Sequence, residues 1–255
     1  MEPIVRTYGN SRVEIHPTPA HLGEAGARLL AQHINTAVGA RGEARIIMAT
    51  GNSQFPLVDA LVGMDIPWQS VTVFHLDEYV GIQPDHPASF HRWIKERVEE
   101  RFQPKIVHYL DGLAGDLDAE IARYEGLLRS APIDVVCMGI GENGHLAFNE
   151  PGDADFGTDA RVGVITLQAE SRAQQVNEGH FPTLEDVPAQ ALSLTIPALF
   201  ASTHQIVSVP ERRKAEAVRA ALTGPVSEAC PASILQERES AVVLLEPESA
   251  SALPS

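Results

Sequence analysis

One glycine-rich segment contains two side chains suited to proton transfer. Residues 139–152 read GIGENGHLAFNEPG and place His145 and Glu150 within a single compact loop. A carboxylate beside an imidazole can orient that ring and make it an acid or a base. We therefore predict that His145 and Glu150 form an acid-base pair. The alternative is that His145 is an ordinary loop histidine that satisfies neighbouring backbone groups.

Two adjacent carboxylates, Asp77 and Glu78, close the apolar segment 71–76. A carboxylate that is partly buried at a strand end acquires a raised pKa and becomes a competent general base. Successive side chains of a strand point to opposite faces, so only one of the two can face a shared site. We predict that this residue is Asp77. The alternative is an acidic turn that binds neighbouring backbone groups.

A third polar segment, made of Thr50, Gly51, Asn52 and Ser53, has the composition of an anion site. It follows the apolar run IIMA and precedes a predicted helix. Gly51 allows the backbone to approach a ligand closely, its neighbours supply donors, and a helix N-terminus adds unpaired N–H groups. We predict that this loop binds a phosphate. The alternative is a simple turn in which Asn52 or Ser53 caps the helix.

A cation stands at the start of another predicted helix, where Lys214 follows Arg212 and Arg213. Lys214 follows a predicted strand, so it could reach an anionic ligand over the sheet edge. The alternative is a solvated charge cluster.

Other chemistries lack their required spacing. The GxGxxG at 139–144 is not followed by the helix that a dinucleotide site needs, since Pro151 and Gly152 come soon after. No Walker loop or GxSxG elbow is present, and Cys137 lies within a predicted strand. His75, His86, His91 and Asp77 match no metal-binding pattern. We expect neither a metal nor an organic cofactor.

These polar segments need a scaffold that brings strand ends together. Short apolar runs alternate with amphipathic stretches, which is typical of βαβ units around a largely parallel sheet. The predicted strands are 13–15, 45–49, 71–76, 106–109, 133–138, 162–167, 205–209 and 241–245, and the predicted helices are 19–37, 55–62, 89–102, 117–129, 170–178 and 211–222. We predict a Rossmann-like three-layer α/β sandwich, in which ligands bind beyond the carboxyl ends of the strands.

The organisation of the chain is that of one unit. Its 255 residues show no repeat or linker, so we predict a single domain over residues 1–246 and a flexible tail over 247–255. Residues 149–159 are rich in Gly and Asp, and we expect them to form a mobile loop or lid.

The overall charge excludes some partners. The 34 acidic and 19 basic side chains give a net charge of −15, which disfavours nucleic acids and anionic membranes. No apolar stretch approaches the roughly 20 residues that a spanning helix needs. Cys137 and Cys230 do not suggest a disulfide framework, and the N-terminus shows no signal-peptide pattern. We expect a cytoplasmic protein whose partner is a small molecule.

In combination, these segments resemble the glucosamine-6-phosphate deaminase (glucosamine/galactosamine-6-phosphate isomerase) family, which is related to the 6-phosphogluconolactonases. The most specific matches are LDEYVG at 76–81, HPASF at 86–90 and GIGENGHLAFNEPG at 139–152. Further matches are ATGNS at 49–53, ALSLTIPALF at 191–200, KAEAVRAALTGPVSE at 214–228 and PASILQ at 231–236. The lactonases typically show DERxVP and GHTASLFP in the corresponding places, so the chain resembles the deaminases more.

The resemblance implies a reaction in which an amino-sugar phosphate opens its ring, moves a proton from C2 to C1 and releases ammonia. It implies that Asp77 moves the C2 proton, that His145 assists ring opening and that Glu150 orients His145. The loop 50–53 and Lys214 would hold the phosphate. No cofactor is implied.

Two positions depart from the family pattern. Asn143 stands where many members have an aspartate; it can orient His145 by a hydrogen bond but cannot take a proton. The family's phosphate-binding arginine has no clear counterpart after segment 162–167, because Arg172 lies too early and Asn177 lies nearest the expected place.

Two rival functions stay open. One is lactone hydrolysis on the same fold, which needs no base at C2. The other is a non-catalytic sugar-phosphate sensor, which has no need for Asp77, His145 and Glu150 together. The sequence also leaves open the gluco or galacto epimer, allosteric control and a homo-oligomer.

Overall fold

The computed structural model describes residues 2–254. In this range the strands are β1 (Ile4–Tyr8), β2 (Ser11–Ile15), β3 (Ala44–Met48), β4 (Val71–His75), β5 (Asp77–Tyr79), β6 (Ile106–His108), β7 (Val135–Met138), β8 (Val162–Thr166), β9 (Gln190–Leu194), β10 (His204–Val209) and β11 (Ala241–Leu245). The α-helices are α1 (Pro19–Arg41), α2 (Phe55–Ala60), α3 (Phe90–Ile94), α4 (Glu100–Phe102), α5 (Leu117–Arg129), α6 (Ala169–Asn177), α7 (Ile196–Phe200) and α8 (Ala215–Thr223), with a π-helical turn at Lys95–Glu99 between α3 and α4.

A large sheet forms the centre of the fold. Its strand order is β1-β2-β11-β10-β7-β3-β4-β6, and every pair is parallel except the outermost hairpin β1-β2. Parallel neighbours require crossover connections, which the helices supply. The carboxyl ends of β3, β4, β7 and β10 therefore lie side by side at one edge of the sheet.

Both faces of this sheet are buried, as the near-continuous apolar strands require. In β7, Val135 and Cys137 belong to the core that includes α1, whereas Val136 and Met138 belong to the core on the opposite face. This alternation follows from the two-residue period of a strand. The three-layer α/β architecture predicted from the sequence is confirmed, with helices on both sides of a mostly parallel sheet.

The longest helix, α1, has clear signals at both ends. The Thr18 side chain accepts a hydrogen bond from the backbone N–H of His21, and Pro19 occupies the first turn. Gly42 ends the helix at φ +80°, a conformation that favours glycine. The helix extends to Arg41, beyond the predicted end at residue 37, and buries Leu22, Leu30 and Ile34 against the sheet.

A second, antiparallel sheet of order β5-β9-β8 packs on one face of the large sheet. The predicted strand 162–167 forms as β8, but it lies in this small sheet rather than in the parallel one. The sequence did not predict β1, β5 and β9 as strands or α7 as a helix. Leu76 separates β4 from β5 and is the point where the chain leaves one sheet for the other. This switch places Asp77 beyond the carboxyl end of β4.

The C-terminal segment is folded over residues 247–254, in contrast to the expected flexible tail. The buried Glu246 carboxylate accepts hydrogen bonds from the backbone N–H groups of Glu211, Glu248 and Ser249. Ser249 is fully buried, and Leu253 packs against the core. Ser255 lies outside the described residues. Capping by one carboxylate orders a segment whose composition alone suggested fraying.

None of the helices in residues 2–254 is both long enough and apolar enough to cross a membrane.

Candidate active site

An open cleft of about 820 Å³ lies over the carboxyl ends of β3, β4, β7 and β10. This is the edge at which open parallel sheets bind ligands. The loop after each strand contributes polar groups to the cleft. The predicted site residues that line it are Thr50, Gly51, Asn52, Ser53, Asp77, His145 and Lys214.

Asp77 faces the cleft, whereas its neighbour Glu78 faces away from it. Glu78 accepts four hydrogen bonds, from the Ser89 hydroxyl and from the backbone N–H groups of Tyr79, Phe90 and His91. It thereby fixes the N-terminus of α3 to β5. Among the described residues, the Asp77 carboxylate has no hydrogen-bond partner, although Asp77 is only 7% exposed.

The environment of Asp77 favours its protonated form. Burial raises the pKa of Asp77 well above its ordinary value, and the nearby Glu78 charge raises it further. A carboxylate of raised pKa is a stronger base once it is ionised. The site therefore contains a buried base whose lone pairs are directed to no other described group.

His145 is held by a chain of hydrogen bonds. Its Nδ1 lies 2.8 Å from Asn143 Oδ1, and Asn143 Nδ2 donates to Glu150 Oε2 at 2.8 Å. Because Glu150 can only accept when it is ionised, the Asn143 amide presents its oxygen to His145, which assigns the proton of the imidazole to Nδ1. Nε2 is then left with a free lone pair.

The state of His145 follows from its surroundings. Burial, together with a smaller effect of the Lys214 charge, lowers the pKa of His145 to about 4. The imidazole is therefore neutral at pH 7. Glu150 is fully buried and lies 3.7 Å from His145 Nδ1, so it acts on the ring mainly through Asn143. Glu150 and Asn143 do not line the cleft themselves.

Glycines allow the His145 loop to turn this tightly. Gly144 has φ +90° and donates to Gly141 O at 3.0 Å, which closes a turn immediately before His145. The imidazole then lies directly over Gly141, where a Cβ would overlap the ring. A longer side chain at residue 141 would displace His145.

The predicted anion loop and Lys214 lie in the same cleft. Gly51 has φ +88°, and the loop continues as a 3-10 turn over Asn52–Gln54 before α2. A Cβ added to Gly139 would lie 2.7 Å from Ser53 Oγ, so the loops after β3 and β7 pack closely. Lys214 is 8% exposed, and burial lowers its pKa.

The wall opposite the sheet was not predicted from the sequence. It consists of Gln174, Gln175, Glu178 and His180, from α6 and the turn that follows it. Residues 149–159, expected to form the lid, do not line the cleft in the part of the chain that is described. This loop instead contacts Glu228. The backbone N–H of Gly152 donates to the Glu228 backbone carbonyl, and the backbone N–H of Phe156 donates to the Glu228 carboxylate. The expectation of a lid there was wrong.

Arg213 also lines the cleft, and it was noted in the sequence only as a neighbour of Lys214. Arg172 does not face the cleft, because its guanidinium donates to the carbonyls of Leu184 and Val187. Asn177, the other candidate for the missing arginine, is likewise not part of the cleft lining. The spacing of Gln174 and Glu178 on one face of α6 is the signal that could have indicated this wall.

Comparisons with known proteins identify the family. The profile described as glucosamine-6-phosphate isomerases/6-phosphogluconolactonase matches residues 17–244. The chain belongs to this family. Glucosamine-6-phosphate deaminase of Streptococcus uberis is 36% identical over 214 residues, which cover 84% of this chain and 89% of the relative. The enzyme of that name from Exiguobacterium sibiricum is 37% identical over 206 residues, covering 81% and 80%.

Solved structures of the glucosamine-6-phosphate isomerase/6-phosphogluconolactonase family share the fold. A structure described as a monomeric glucosamine-6-phosphate deaminase superposes with a TM-score of 0.85 at 33% identity, covering 94% of this chain and 99% of the other. A 6-phosphogluconolactonase from Shewanella baltica superposes with a TM-score of 0.74 at 21% identity, covering 94% and 97%. The second likeness shows the fold alone.

Proposed function

We propose that this protein is an amino-sugar phosphate deaminase that converts glucosamine 6-phosphate and water into fructose 6-phosphate and ammonia. The observation that carries the proposal is the pairing, in one cleft, of an unpartnered buried carboxylate at Asp77 with a neutral imidazole at His145. The 36–37% identity to two enzymes named for this activity supports the same substrate.

Ring opening requires one proton to leave the C1 hydroxyl and one to reach the ring oxygen. The free Nε2 lone pair of His145 accepts the hydroxyl proton and returns it to the ring oxygen as the C1–O bond breaks. A neutral imidazole can accept a proton, and its pKa of about 4 keeps it neutral at physiological pH. Asn143 and Glu150 keep Nε2 directed at the substrate by fixing the proton on Nδ1.

Isomerisation then moves a proton from C2 to C1 of the open aldehyde. Asp77 takes the C2 proton, and the electrons of that C–H bond pass into the C1 carbonyl. The 2-ammonium group gives a proton to the C1 oxygen, and protonated Asp77 returns its proton to C1, which leaves an iminium at C2. Water adds to this iminium before ammonia departs. Burial raises the pKa of Asp77, so its carboxylate is a stronger base for the C2 proton. The C–N bond is broken by water, which makes the overall reaction a hydrolysis.

The phosphate is bound at the end of the cleft that carries positive charge. The Lys214 ammonium and the donors of Thr50, Asn52 and Ser53 line this end. A buried cation and backbone N–H groups bind a phosphate strongly in a low dielectric. This places the sugar between the phosphate end and the pair of proton-transfer groups.

The residues that this mechanism uses all come from one chain, so we propose that a single subunit contains the whole site. The related solved structure is described as monomeric. We place the protein in the cytoplasm because both cysteines are free and Cys137 is buried. Light scattering of the purified protein measures its subunit number.

A direct assay tests the function. Purified protein is incubated with glucosamine 6-phosphate, galactosamine 6-phosphate or 6-phosphogluconolactone, and ammonia or acid release is followed. We expect ammonia from glucosamine 6-phosphate, and a kcat about 10²–10⁴-fold lower for Asp77→Asn because the base is removed. Lactone hydrolysis that survives Asp77→Asn, with no ammonia from either amino sugar, would establish the lactonase. Equal ligand affinity in both proteins without turnover would establish a sensor.

A further inference from the structure

One arginine in the cleft binds carboxylates from three different segments. Arg213 Nη1 lies 2.8 Å from Glu142 Oε1 and 2.6 Å from Glu178 Oε1, and its Nε lies 2.5 Å from Glu211 Oε2. Glu142 precedes Asn143 in the His145 loop, Glu178 follows α6, and Glu211 follows β10. We call this group of four side chains the Arg213 cluster.

The pair formed by Arg213 and Glu178 is held in its charged form. Burial favours neutral Glu178, but hydrogen bonds from His180, Gln174 and Arg213 overcome it and lower the pKa of Glu178 to about 2. Burial likewise opposes the charge of Arg213, but Glu211 and Glu178 raise its pKa. Arg213, Glu178 and Glu211 line the cleft, and Glu142 lies just behind them in the His145 loop.

Lys214 is the next residue in the chain, yet it is not part of the Arg213 cluster. Within residues 2–254, no carboxylate lies within ion-pair distance of its ammonium. The cluster still affects the pKa of Lys214. The charges of Glu178, Glu142 and Glu211 raise this pKa, and the charge of Arg213 lowers it. Lys214 thus stays free in the cleft although three carboxylates are near.

We propose that Arg213 is a positioning residue: by binding Glu142, Glu178 and Glu211 it keeps these carboxylates from Lys214, so that the Lys214 ammonium remains available to the phosphate of the substrate. This inference rests on the proposed function for the identity of the anion. The Nε and Nη1 groups of Arg213 are directed at carboxylates, and Arg213 is not assigned a contact with substrate.

The physical reason is local charge balance. Without Arg213, Lys214 would be the remaining lysine or arginine among the described cleft residues. The carboxylates that Arg213 now binds would then be free to pair with Lys214 and to repel the phosphate. Removing one partner of a hydrogen-bonded charge cluster leaves the other charges uncompensated. The whole-chain charge of −15 offers no compensating field for an anionic substrate.

The test compares Arg213→Ala with Arg212→Ala. Arg212 is a neighbouring arginine whose side chain is 78% exposed and pairs with Glu248 outside the cleft, so its loss removes the same formal charge from a place the mechanism does not use. We expect Arg213→Ala to raise KM for glucosamine 6-phosphate about tenfold or more, with a smaller change in kcat. Arg212→Ala should stay within about twofold. Equal KM values in the two variants would overturn the proposal.

Two further variants test whether Arg213 acts through its positive charge or only by holding the three segments together. If Arg213 acts by its charge, Arg213→Lys should recover most of the lost affinity, and adding Glu178→Gln to Arg213→Ala should lower KM again. Glu178→Gln alone should not raise KM, because it removes a charge that repels phosphate. An Arg213→Lys variant as poor as Arg213→Ala would overturn the proposal. A rise in KM for Glu178→Gln would overturn it even if Arg213→Ala does not fold.

Binding of inorganic phosphate, measured by calorimetry, separates this inference from the proposed function. Ammonia release by the wild type tests the function alone. We expect the wild-type protein to bind phosphate and Arg213→Ala to bind it about tenfold more weakly or worse, whether or not ammonia is formed. A wild type that binds no phosphate, or an Arg213→Ala variant that binds it equally well, would overturn the inference.

Discussion

Two neighbouring carboxylates give the sharpest prediction, because burial raises the pKa of both but only Glu78 is held by hydrogen bonds. Asp77 is buried in the cleft without a hydrogen-bond partner among the described residues, whereas Glu78 is buried with four. We expect Asp77→Asn to stabilise the protein while lowering kcat about 10²–10⁴-fold. Glu78→Gln should destabilise it, although both changes remove one negative charge and keep the side-chain shape.

The size of each effect follows from the contacts. Burial disfavours the charged form of Asp77, so neutralising it should add about 1 kcal/mol or more to the free energy of unfolding at pH 7.5. In Glu78→Gln one oxygen becomes an NH₂ that cannot accept, so two of the four bonds are lost, at a cost of about 3 kcal/mol in total. For a chain of this length each kcal/mol corresponds to roughly 2–4 °C in Tm.

The pH dependence checks the cause. A raised pKa means that folding favours protonated Asp77. Ionisation of Asp77 therefore has no effect on stability below its ordinary pKa of 3.8, and it lowers stability as the pH rises from there to the folded pKa. The stabilisation by Asp77→Asn should therefore be largest at alkaline pH and decline as the pH falls toward about 4. Urea unfolding of the three proteins at several pH values measures this. A destabilised Asp77→Asn, or a stabilisation that grows with acid, would refute the reasoning.

Three further predictions concern the His145 loop. Gly141→Ala should lower kcat at least about 100-fold, because its Cβ would overlap the imidazole. The control is Gly126→Ala, at an exposed position in α5 with open space around it, which should add up to about 1 kcal/mol of stability and leave the kinetics unchanged. Similar kinetics for the two variants would contradict this prediction. Asn143→Asp should raise the pKa of His145 above its present value of about 4, moving the acid limb of the kcat/KM profile upward by about one pH unit or more; an unmoved limb would argue against the hydrogen-bond chain. Relative to His145→Gln, the wild type should lose stability between pH 6.5 and 4, because His145 has a pKa lowered to about 4 and binds a proton more readily when unfolded; a difference in urea midpoint between the two proteins that stays constant over this range would exclude it.

The sequence was sufficient to predict the parts of the site that follow strands. Asp77 and the loop 50–53 stand directly after predicted strands, and His145 lies in the loop that follows another. The rule that parallel strands end at one edge predicts that these groups lie together. The orientation of Asp77 against Glu78 followed from strand geometry in the same way. These features depend on local periodicity, which a single sequence contains.

The opposite wall of the cleft could not be predicted, because it depends on contacts between distant segments. Arg213 and Glu178 are 35 residues apart in the chain, and neither has a spacing that indicates the other. The small sheet was missed for a related reason: β5 pairs with β9 across more than 100 residues, and three-residue strands carry little periodicity. The tail was mispredicted because its order depends on one buried carboxylate, Glu246, that accepts backbone hydrogen bonds.

The difference between a structural and a functional carboxylate in this protein is the presence of partners. Glu78 and Glu246 are buried in full sets of hydrogen bonds, and each one fixes a neighbouring segment. Asp77 is buried to a similar degree but fixes no neighbouring segment. Its desolvation therefore lowers stability, and no hydrogen bond to a described residue offsets this loss. Proteins keep such groups where chemistry requires them, which is why an unpartnered buried acid in a cleft is a strong indication of a catalytic base. Sequence shows that a carboxylate follows a strand; only the structure shows whether anything binds it.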